Sequence, residues 1–153
     1  MPKPISRRSV LAAGAGAVAG LSLPAAALAG GRAVRFTLNA ETLDGGEQVT
    51  SVSLATARLG RVDPASLTTG TFSVHAKATS PIPIAAGDQI FSEYDLDRPV
   101  TAARLDRRGN VVLDLSHAEV QVGGGTLGYI LSRGRNVQLD LVYTITQHAP
   151  IVV

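Results

Sequence analysis

An alternation of apolar and polar residues at period two runs through most of the chain after residue 33 and limits what it can fold into. Its first clear example is the run in which Val34, Phe36, Leu38 and Ala40 are separated by polar residues. Further runs lie at residues 48–57, 72–77, 99–106, 110–116, 127–131 and 137–146. Alternate residues of a β-strand point to the same side of a sheet, so these runs predict strands with one buried face. No stretch of ten or more residues has the period of an amphipathic helix, and the pattern indicates an all-β fold.

Turn residues separate these runs at short intervals. Gly109, next to Arg107 and Arg108, lies between two apolar runs and predicts a tight hairpin. Pro81 and Pro83 remove main-chain donors, so residues 79–88 are expected to form a loop or an irregular edge. We therefore predict an antiparallel, immunoglobulin-like β-sandwich of about seven strands. A small β-barrel is the alternative, because alternation alone does not distinguish a barrel from a sandwich.

The first 29 residues have the organisation of an export signal. Arg7 and Arg8 precede a weakly apolar, glycine-containing run from Val10 to Leu23, the order found in a twin-arginine signal peptide. Ala27 and Ala29 fit a signal-peptidase site, which divides the chain into a signal peptide (1–29) and one mature domain (30–153). We expect export by the twin-arginine translocase and a secreted or cell-envelope location. An uncleaved, membrane-tethered form is the alternative, although the run of about 14 residues is shorter than the roughly 20 of a spanning helix.

Removal of that segment changes the charge of the protein. Residues 1–29 hold three of the 14 basic residues and none of the 12 acidic ones, so the formal charge falls from +2 to 11 − 12 = −1. The mature domain has no cluster of basic residues to follow a phosphate backbone, and we expect no nucleic-acid partner. The chain has no cysteine, so an ordinary apolar core must stabilise it.

A family resemblance rests on four stretches of the mature domain. Residues 62–74 (VDPASLTTGTFSV) are similar to the linker and strand of bacterial immunoglobulin-like modules, and the other stretches are residues 35–38, 108–113 and 143–147. Together they resemble the immunoglobulin-like domain that precedes the catalytic domain of certain secreted bacterial esterases. No hydrolase sequence accompanies them, so the resemblance implies a non-catalytic module with a secreted hydrolase as a candidate partner.

Residues with catalytic chemistry are scattered along the chain. No Gly-x-Ser-x-Gly nucleophile elbow occurs, and Ser132 lacks the glycine before it that the motif requires. His75, His117 and His148 are far apart in sequence and are expected to be exposed polar residues. We predict no catalytic residue and no cofactor.

Two segments suggest ligands. Glu93, Asp95 and Asp97 alternate along an extended segment and are a candidate calcium site, with a solvated acidic edge as the simpler interpretation. Phe91 and Tyr94 are the aromatic residues expected to be free for a surface patch that binds a sugar.

The cations on either side of Gly134 are a further candidate. Arg133 and Arg135 are expected at a hairpin tip, where they are either solvated charges or contacts for an acidic partner.

The sequence thus favours an exported, non-catalytic module for binding or scaffolding. Two alternatives stay open. One is an esterase-related fragment or small hydrolase with an unrecognised site, and the other is a structural protein of the cell envelope. Fold alone does not choose among them.

Overall fold

A computed structural model describes the main chain of residues 4–5, 10–16, 22–23, 26–27, 34–43, 46–117 and 127–153, and side chains from residue 34 onward within those ranges. Arg7, Arg8 and Ala29 lie outside the described residues, and only the main chain of Ala27 is described. The export signal and the division at residue 29 therefore stay predictions.

The described chain is built from β-strands and two 3-10 turns. The strands are β1 (Pro4–Ile5), β2 (Val10–Gly16), β3 (Ser22–Leu23), β4 (Ala26–Ala27), β5 (Phe36–Leu43), β6 (Gly46–Leu54), β7 (Phe72–Thr79), β8 (Gln89–Phe91), β9 (Tyr94–Arg98), β10 (Val100–Leu105), β11 (Val111–Leu115), β12 (Tyr129–Ser132), β13 (Arg135–Gln138), β14 (Asp140–Gln147) and β15 (Ile151–Val152). The 3-10 turns span Thr56–Leu59 and Pro64–Ser66.

Two five-stranded antiparallel sheets form the body of the protein. One has the order β10-β11-β6-β5-β3 and the other the order β4-β2-β14-β7-β9. Apolar side chains from both sheets, such as Leu54 and Leu113 of the first and Val74 and Ile145 of the second, pack into one core and are at most 1% exposed. The protein is therefore an all-β sandwich and not a closed barrel. Six of its strands, β5, β6, β7, β10, β11 and β14, correspond to strands expected from the mature domain. The seventh expected strand, at residues 127–131, is β12 and lies in a separate, smaller sheet.

A buried arginine ties the two sheets together. Arg98 at the end of β9 is 2% exposed. Its guanidinium donates to the Tyr143 hydroxyl at 3.0 Å, to the Val49 carbonyl at 2.9 Å and to the Ser116 carbonyl at 3.0 Å. No carboxylate pairs with it among the side chains that the structure describes. Neutral acceptors thus stabilise this cation, which links β9 to β6 and to the end of β11.

The hairpin of β10 and β11 is confirmed, but two predictions are wrong. Residues 137–146 are not one strand, because the chain leaves β13 at Gln138 and starts β14 at Asp140, in a different sheet. Between them Leu139 is fully buried, and its N–H donates to the Gly128 carbonyl at 3.0 Å. Tyr94 is not a surface residue either. It is 7% exposed because it lies on the inner face of β9.

A smaller sheet of order β13-β12-β8 covers one part of the sandwich. Ile130 of β12 is fully buried and belongs to the main core, with Ile90 packed against it. Neighbours of these residues in each strand point away from the core. The small sheet thus has one face toward the sandwich and one toward solvent.

Candidate ligand-binding groove

The turn between β12 and β13 presents two arginines. Arg133 (φ 49°) and Gly134 (φ 73°) are both in the left-handed region, which a two-residue hairpin turn needs at its centre. Asn-Gly is the usual pair there, since a side chain on a left-handed residue costs about 1–2 kcal/mol. Arg133 incurs this conformational cost, which asparagine or glycine at the same position would reduce. Strain of this kind is often found where a side chain has a function.

A groove of about 670 Å³ lies between this hairpin and the loop after β7. Its lining is apolar on the loop side and mixed on the hairpin side, and consists of Ile82, Pro83, Ile84, Ala85, Ser132, Arg133, Arg135 and Val137. Ile84 is 54% exposed, the most exposed large apolar side chain of the described residues. The described part of the lining contains two cations and no anion. Its volume lies within the roughly 300–1,000 Å³ of small-ligand sites.

Local hydrogen bonds hold the loop side of the groove. The Ala85 N–H donates to Oδ2 of Asp88 at 2.8 Å, and the Asp88 N–H donates to the Ala85 carbonyl at 3.1 Å. This main-chain bond from Ala85 lowers the pKa of Asp88, and the nearby Ser132 hydroxyl and the charge of Arg133 act in the same direction. Asp88 therefore stays ionised and anchors the loop beside the hairpin.

The hairpin side of the groove is an open sheet edge. Within the described ranges β13 pairs with β12 alone. Arg135 and Val137 are two residues apart on β13 and both line the groove, so the edge strand turns one face toward it. No other described strand pairs with the outer edge of β13, and an unpaired edge of this kind can accept an extended chain.

The opposite face of the small sheet has an aromatic pair. The rings of Phe91 and Tyr129 stack with centroids 4.8 Å apart and an interplanar angle of 24°, and each residue is 39% exposed. Gly128 makes this approach possible, since a Cβ there would lie 2.3 Å from the Phe91 carbonyl oxygen. Ser92, directly after Phe91, is at φ 67°. Ser92 and Arg133 are the non-glycine residues of positive φ in the described chain, and both border this sheet.

The acidic segment lies elsewhere, on the outer face of β7 and β9. His75 bridges the two aspartates, with Nε2 at 2.7 Å from Asp95 Oδ1 and Nδ1 at 2.7 Å from Asp97 Oδ1. Lys77 Nζ lies 2.8 Å from the second oxygen of Asp95. The pKa of His75 is raised by its hydrogen bonds to Asp97 and Asp95, and the pKa of Asp95 is lowered by Lys77 and His75.

These contacts bear on the calcium hypothesis. Glu93 precedes β9 and is exposed. Both carboxylate oxygens of Asp95 and Oδ1 of Asp97 already face His75 or Lys77. No group of three or more His, Cys, Asp or Glu side chains within the described part of the chain is arranged to hold a metal. Calcium binding at Glu93, Asp95 and Asp97 stays an untested prediction.

The remaining histidines are near strand ends. His148 Nε2 lies 2.7 Å from the Ser73 hydroxyl on the exposed side of β7. His117 Nδ1 lies 3.0 Å from the Leu115 carbonyl. The Ser73–His148 pair is a contact that sequence spacing did not indicate, since its members are 75 residues apart.

Sequence reasoning thus located part of the groove and missed the rest. Arg133 and Arg135 were expected at a hairpin tip and lie there. The loop residues Ile82 and Ile84 were not singled out, and Tyr129 takes the place beside Phe91 that Tyr94 was expected to fill. The apolar residues at 82 and 84, in a loop rich in proline, were the signal in the sequence that points to this site.

Comparisons with protein-family models, curated proteins and solved structures found no match to this chain. No helix in the described residues has the length and apolar character needed to cross a membrane.

Proposed function

We propose that this protein is an exported, non-catalytic binding module that holds its ligand in the groove between the β12–β13 hairpin and the loop at Ile82–Ala85. The observation that carries this proposal is the lining, in which, among the residues that the structure describes, two arginines stand among mainly apolar side chains with no acidic residue. Such a surface gains free energy from apolar burial and takes its orientation from a few charged groups, as ligand sites generally do.

Two further observations support binding at this place. Ile84 leaves a large apolar side chain in solvent, a cost that a ligand would remove. Arg133 occupies a left-handed position that asparagine or glycine would fill with less strain. The exposed apolar group and the strained cation lie in the same groove.

The wider setting of the module is part of the proposal. The immunoglobulin-like character and the kinship with the esterase-associated domain rest on the sequence stretches given above. Export rests on Arg7, Arg8 and the following small apolar residues. A secreted hydrolase is the partner that this resemblance favours, and a membrane is contacted only through an uncleaved signal.

Site-specific photo-crosslinking in the producing cells tests this proposal. A photoreactive phenylalanine analogue is placed at Ile84 in the groove or, as a control, at Val142, which is 36% exposed on β14. We expect an adduct from position 84, weakened when Arg133 and Arg135 are both glutamine, and none from position 142. Equal adducts from both positions, or none from position 84, would contradict binding in the groove.

The enzyme alternative has one contact in its favour. Ser73 and His148 form a hydroxyl–imidazole pair at 2.7 Å, the first requirement for a serine nucleophile. The pair is exposed on the outer side of a sheet, and no carboxylate hydrogen-bonds His148 in the residues that the structure describes. The groove is formed by the loop after β7 and by the β12–β13 hairpin, and neither Ser73 nor His148 lines it.

Turnover of short-chain p-nitrophenyl esters decides between the two classes. We expect the purified protein to release p-nitrophenol no faster than the Ser73→Ala variant. Turnover that disappears in Ser73→Ala and in His148→Ala, but persists in Ser53→Ala, would replace the binding proposal with a hydrolase.

A further inference from the structure

We infer that the groove takes an extended peptide segment of a partner protein, which adds as a strand to the open edge of β13 and places a carboxylate beside Arg133 and Arg135. The inference rests on the proposed function and adds the chemical class of the ligand. Three features of the groove carry it: the free strand edge, the two cations and the spacing of the lining residues.

The free edge favours a peptide over a small molecule. A strand that pairs with one neighbour leaves a row of main-chain N–H and C=O groups unpaired on its other side. In the described chain β13 pairs only with β12. A peptide main chain satisfies such groups by β-augmentation. A small carboxylate or a lipid offers no matching row of donors and acceptors.

The two cations determine the charge of that peptide. Arg133 and Arg135 both line the groove, and no acidic residue of the described ranges is part of the lining. Asp88 lies at its margin, where the N–H of Ala85 already occupies one carboxylate oxygen at 2.8 Å. A guanidinium binds a carboxylate through paired, charge-assisted hydrogen bonds. The groove is thus complementary to an acidic segment.

The spacing along β13 gives the pattern of the peptide. Arg135 and Val137 face the groove from alternate positions, and a paired strand places its own alternate residues opposite them. An acidic side chain opposite Arg135 and an apolar one opposite Val137 are then two residues apart. The apolar side chain would also contact Ile82 and Ile84 across the groove. The predicted recognition pattern is acidic–x–apolar, read in either chain direction.

Fluorescence anisotropy with three labelled hexapeptides tests the inference on the purified protein, in the form in which it accumulates in its cells. The probe is Thr-Ile-Thr-Glu-Thr-Ile, which contains the pattern in both directions. One control replaces glutamate with glutamine. A second, Thr-Ile-Glu-Thr-Thr-Ile, moves glutamate by one position and so turns it to the other face of the strand.

We expect the probe to bind about tenfold more tightly than either control, the effect of a charge-assisted contact. The double variant Arg133→Gln with Arg135→Gln should remove this preference. A matched double variant in the other hairpin, Arg107→Gln with Arg108→Gln, should keep it. Alternate N–H groups of a paired peptide point toward β13 and away from it. Methylation of the set that points toward β13 should therefore abolish binding, and methylation of the other set should not.

Equal affinity for the three peptides would overturn the inference, as would loss of the preference in the Arg107 and Arg108 control. Displacement of the probe by decanoate at matching concentration would also overturn it, because decanoate has a carboxylate and an apolar chain but no peptide main chain. Crosslinking from position 84 without a peptide preference would reject the peptide inference alone. If position 84 gives no adduct and the protein shows no preference among the peptides, the proposed function is rejected as well.

Discussion

The body of the sandwich and the small sheet of β8, β12 and β13 differ in strand length, in side-chain burial and in backbone strain. The body consists of strands up to nine residues long, and its core side chains are nearly all under 3% exposed. The small sheet has strands of three or four residues, two exposed aromatic rings and two non-glycine residues at positive φ beside it. Burial is concentrated in the body, whereas the exposed aromatic pair and the strained residues lie in or beside the small sheet.

This difference separates stability from recognition within one fold. Long strands with a continuous core supply the free energy of folding, because buried apolar area is the main stabilising term. Short edge strands add little to it and leave side chains and main-chain groups available to a ligand. Binding sites are generally drawn from such less stable parts of a structure.

Replacement of the buried arginine should produce the largest effect on the body. Arg98→Met removes the donor from the Tyr143 hydroxyl and from the carbonyls of Val49 and Ser116. Leaving these acceptors unpaired should lower the free energy of unfolding by about 3 kcal/mol. Urea denaturation measures it. Arg107→Met in the exposed hairpin turn is the control and should change stability by less than about 0.5 kcal/mol.

The close contact at Gly128 should produce the next largest effect, within the small sheet. Gly128→Ala places a Cβ 2.3 Å from the Phe91 carbonyl oxygen and 2.7 Å from Leu139 Cδ1. Separation of β8 from β12 should cost about 2 kcal/mol and weaken peptide binding. Gly70→Ala, whose Cβ would have 3.8 Å to its nearest neighbour, is the control. Unchanged stability and binding in Gly128→Ala would show that the contact does not hold the small sheet.

Relief of the strained arginine should change stability and binding in opposite directions. Arg133→Asn keeps the hairpin turn and removes the cost of a long side chain in the left-handed region, so we expect a gain of about 0.5–1 kcal/mol. The same change removes one of the groove cations and should weaken binding of the acidic hexapeptide. Thermal unfolding and anisotropy measure the two effects. Arg135→Asn should weaken binding of the acidic hexapeptide without a gain in stability. A gain in stability of the same size in Arg135→Asn would contradict the role of strain at Arg133.

The smallest effect should come from the exposed cluster on β7 and β9. Asp97 and Asp95 raise the pKa of His75 above 6.5, so protonated His75 stabilises the folded state at low pH and loses that effect as pH rises through the raised pKa. The lowered pKa of Asp95 removes the contact again in stronger acid. The difference in melting temperature between the wild-type protein and His75→Gln should therefore be largest below pH 6.5 while Asp95 is still ionised, and should shrink as pH rises through the raised pKa of His75.

High salt should reduce this difference, since the side chains of the cluster are 45% to 87% exposed and such pairs are screened. A difference that stays constant from pH 5 to pH 8 would show that protonation of His75 does not contribute.

Period-two alternation was enough to predict six strands of the body, β5, β6, β7, β10, β11 and β14. Leu141, Tyr143 and Ile145 of β14 follow it, as do Val111, Leu113 and Leu115 of β11, where Val112 is buried as well. In such strands one face is buried along its whole length, so sequence pattern and burial agree.

The small sheet could not be predicted in the same way. Val137 and Leu139 continue the alternation of β14, yet they belong to another sheet and to the break between sheets, because a tertiary hydrogen bond from Leu139 to Gly128 redirects the chain. Alternation carries no information on which sheet a strand joins. Burial of Tyr94 and Arg98 does follow the alternation of β9, since the exposed Asp95 and Asp97 lie on the opposite face of that strand.

The groove itself arises from segments about 50 residues apart that neither period nor motif connects. Arg133 and Arg135 were recognised as hairpin cations, and their meeting with Ile82 and Ile84 is a result of the tertiary fold. A site built from a loop and an edge strand has no local signature in sequence.

The most direct test of the groove as the binding site is a map of amide chemical-shift changes on titration of the purified, isotope-labelled protein with the acidic hexapeptide. We predict changes at residues 82–85 and 132–137, with saturation at one equivalent. The amide chemical shifts of His75, Asp95 and Asp97 should not change. Changes confined to β7 and β9, or no saturable change at residues 82–85 and 132–137, would contradict the account.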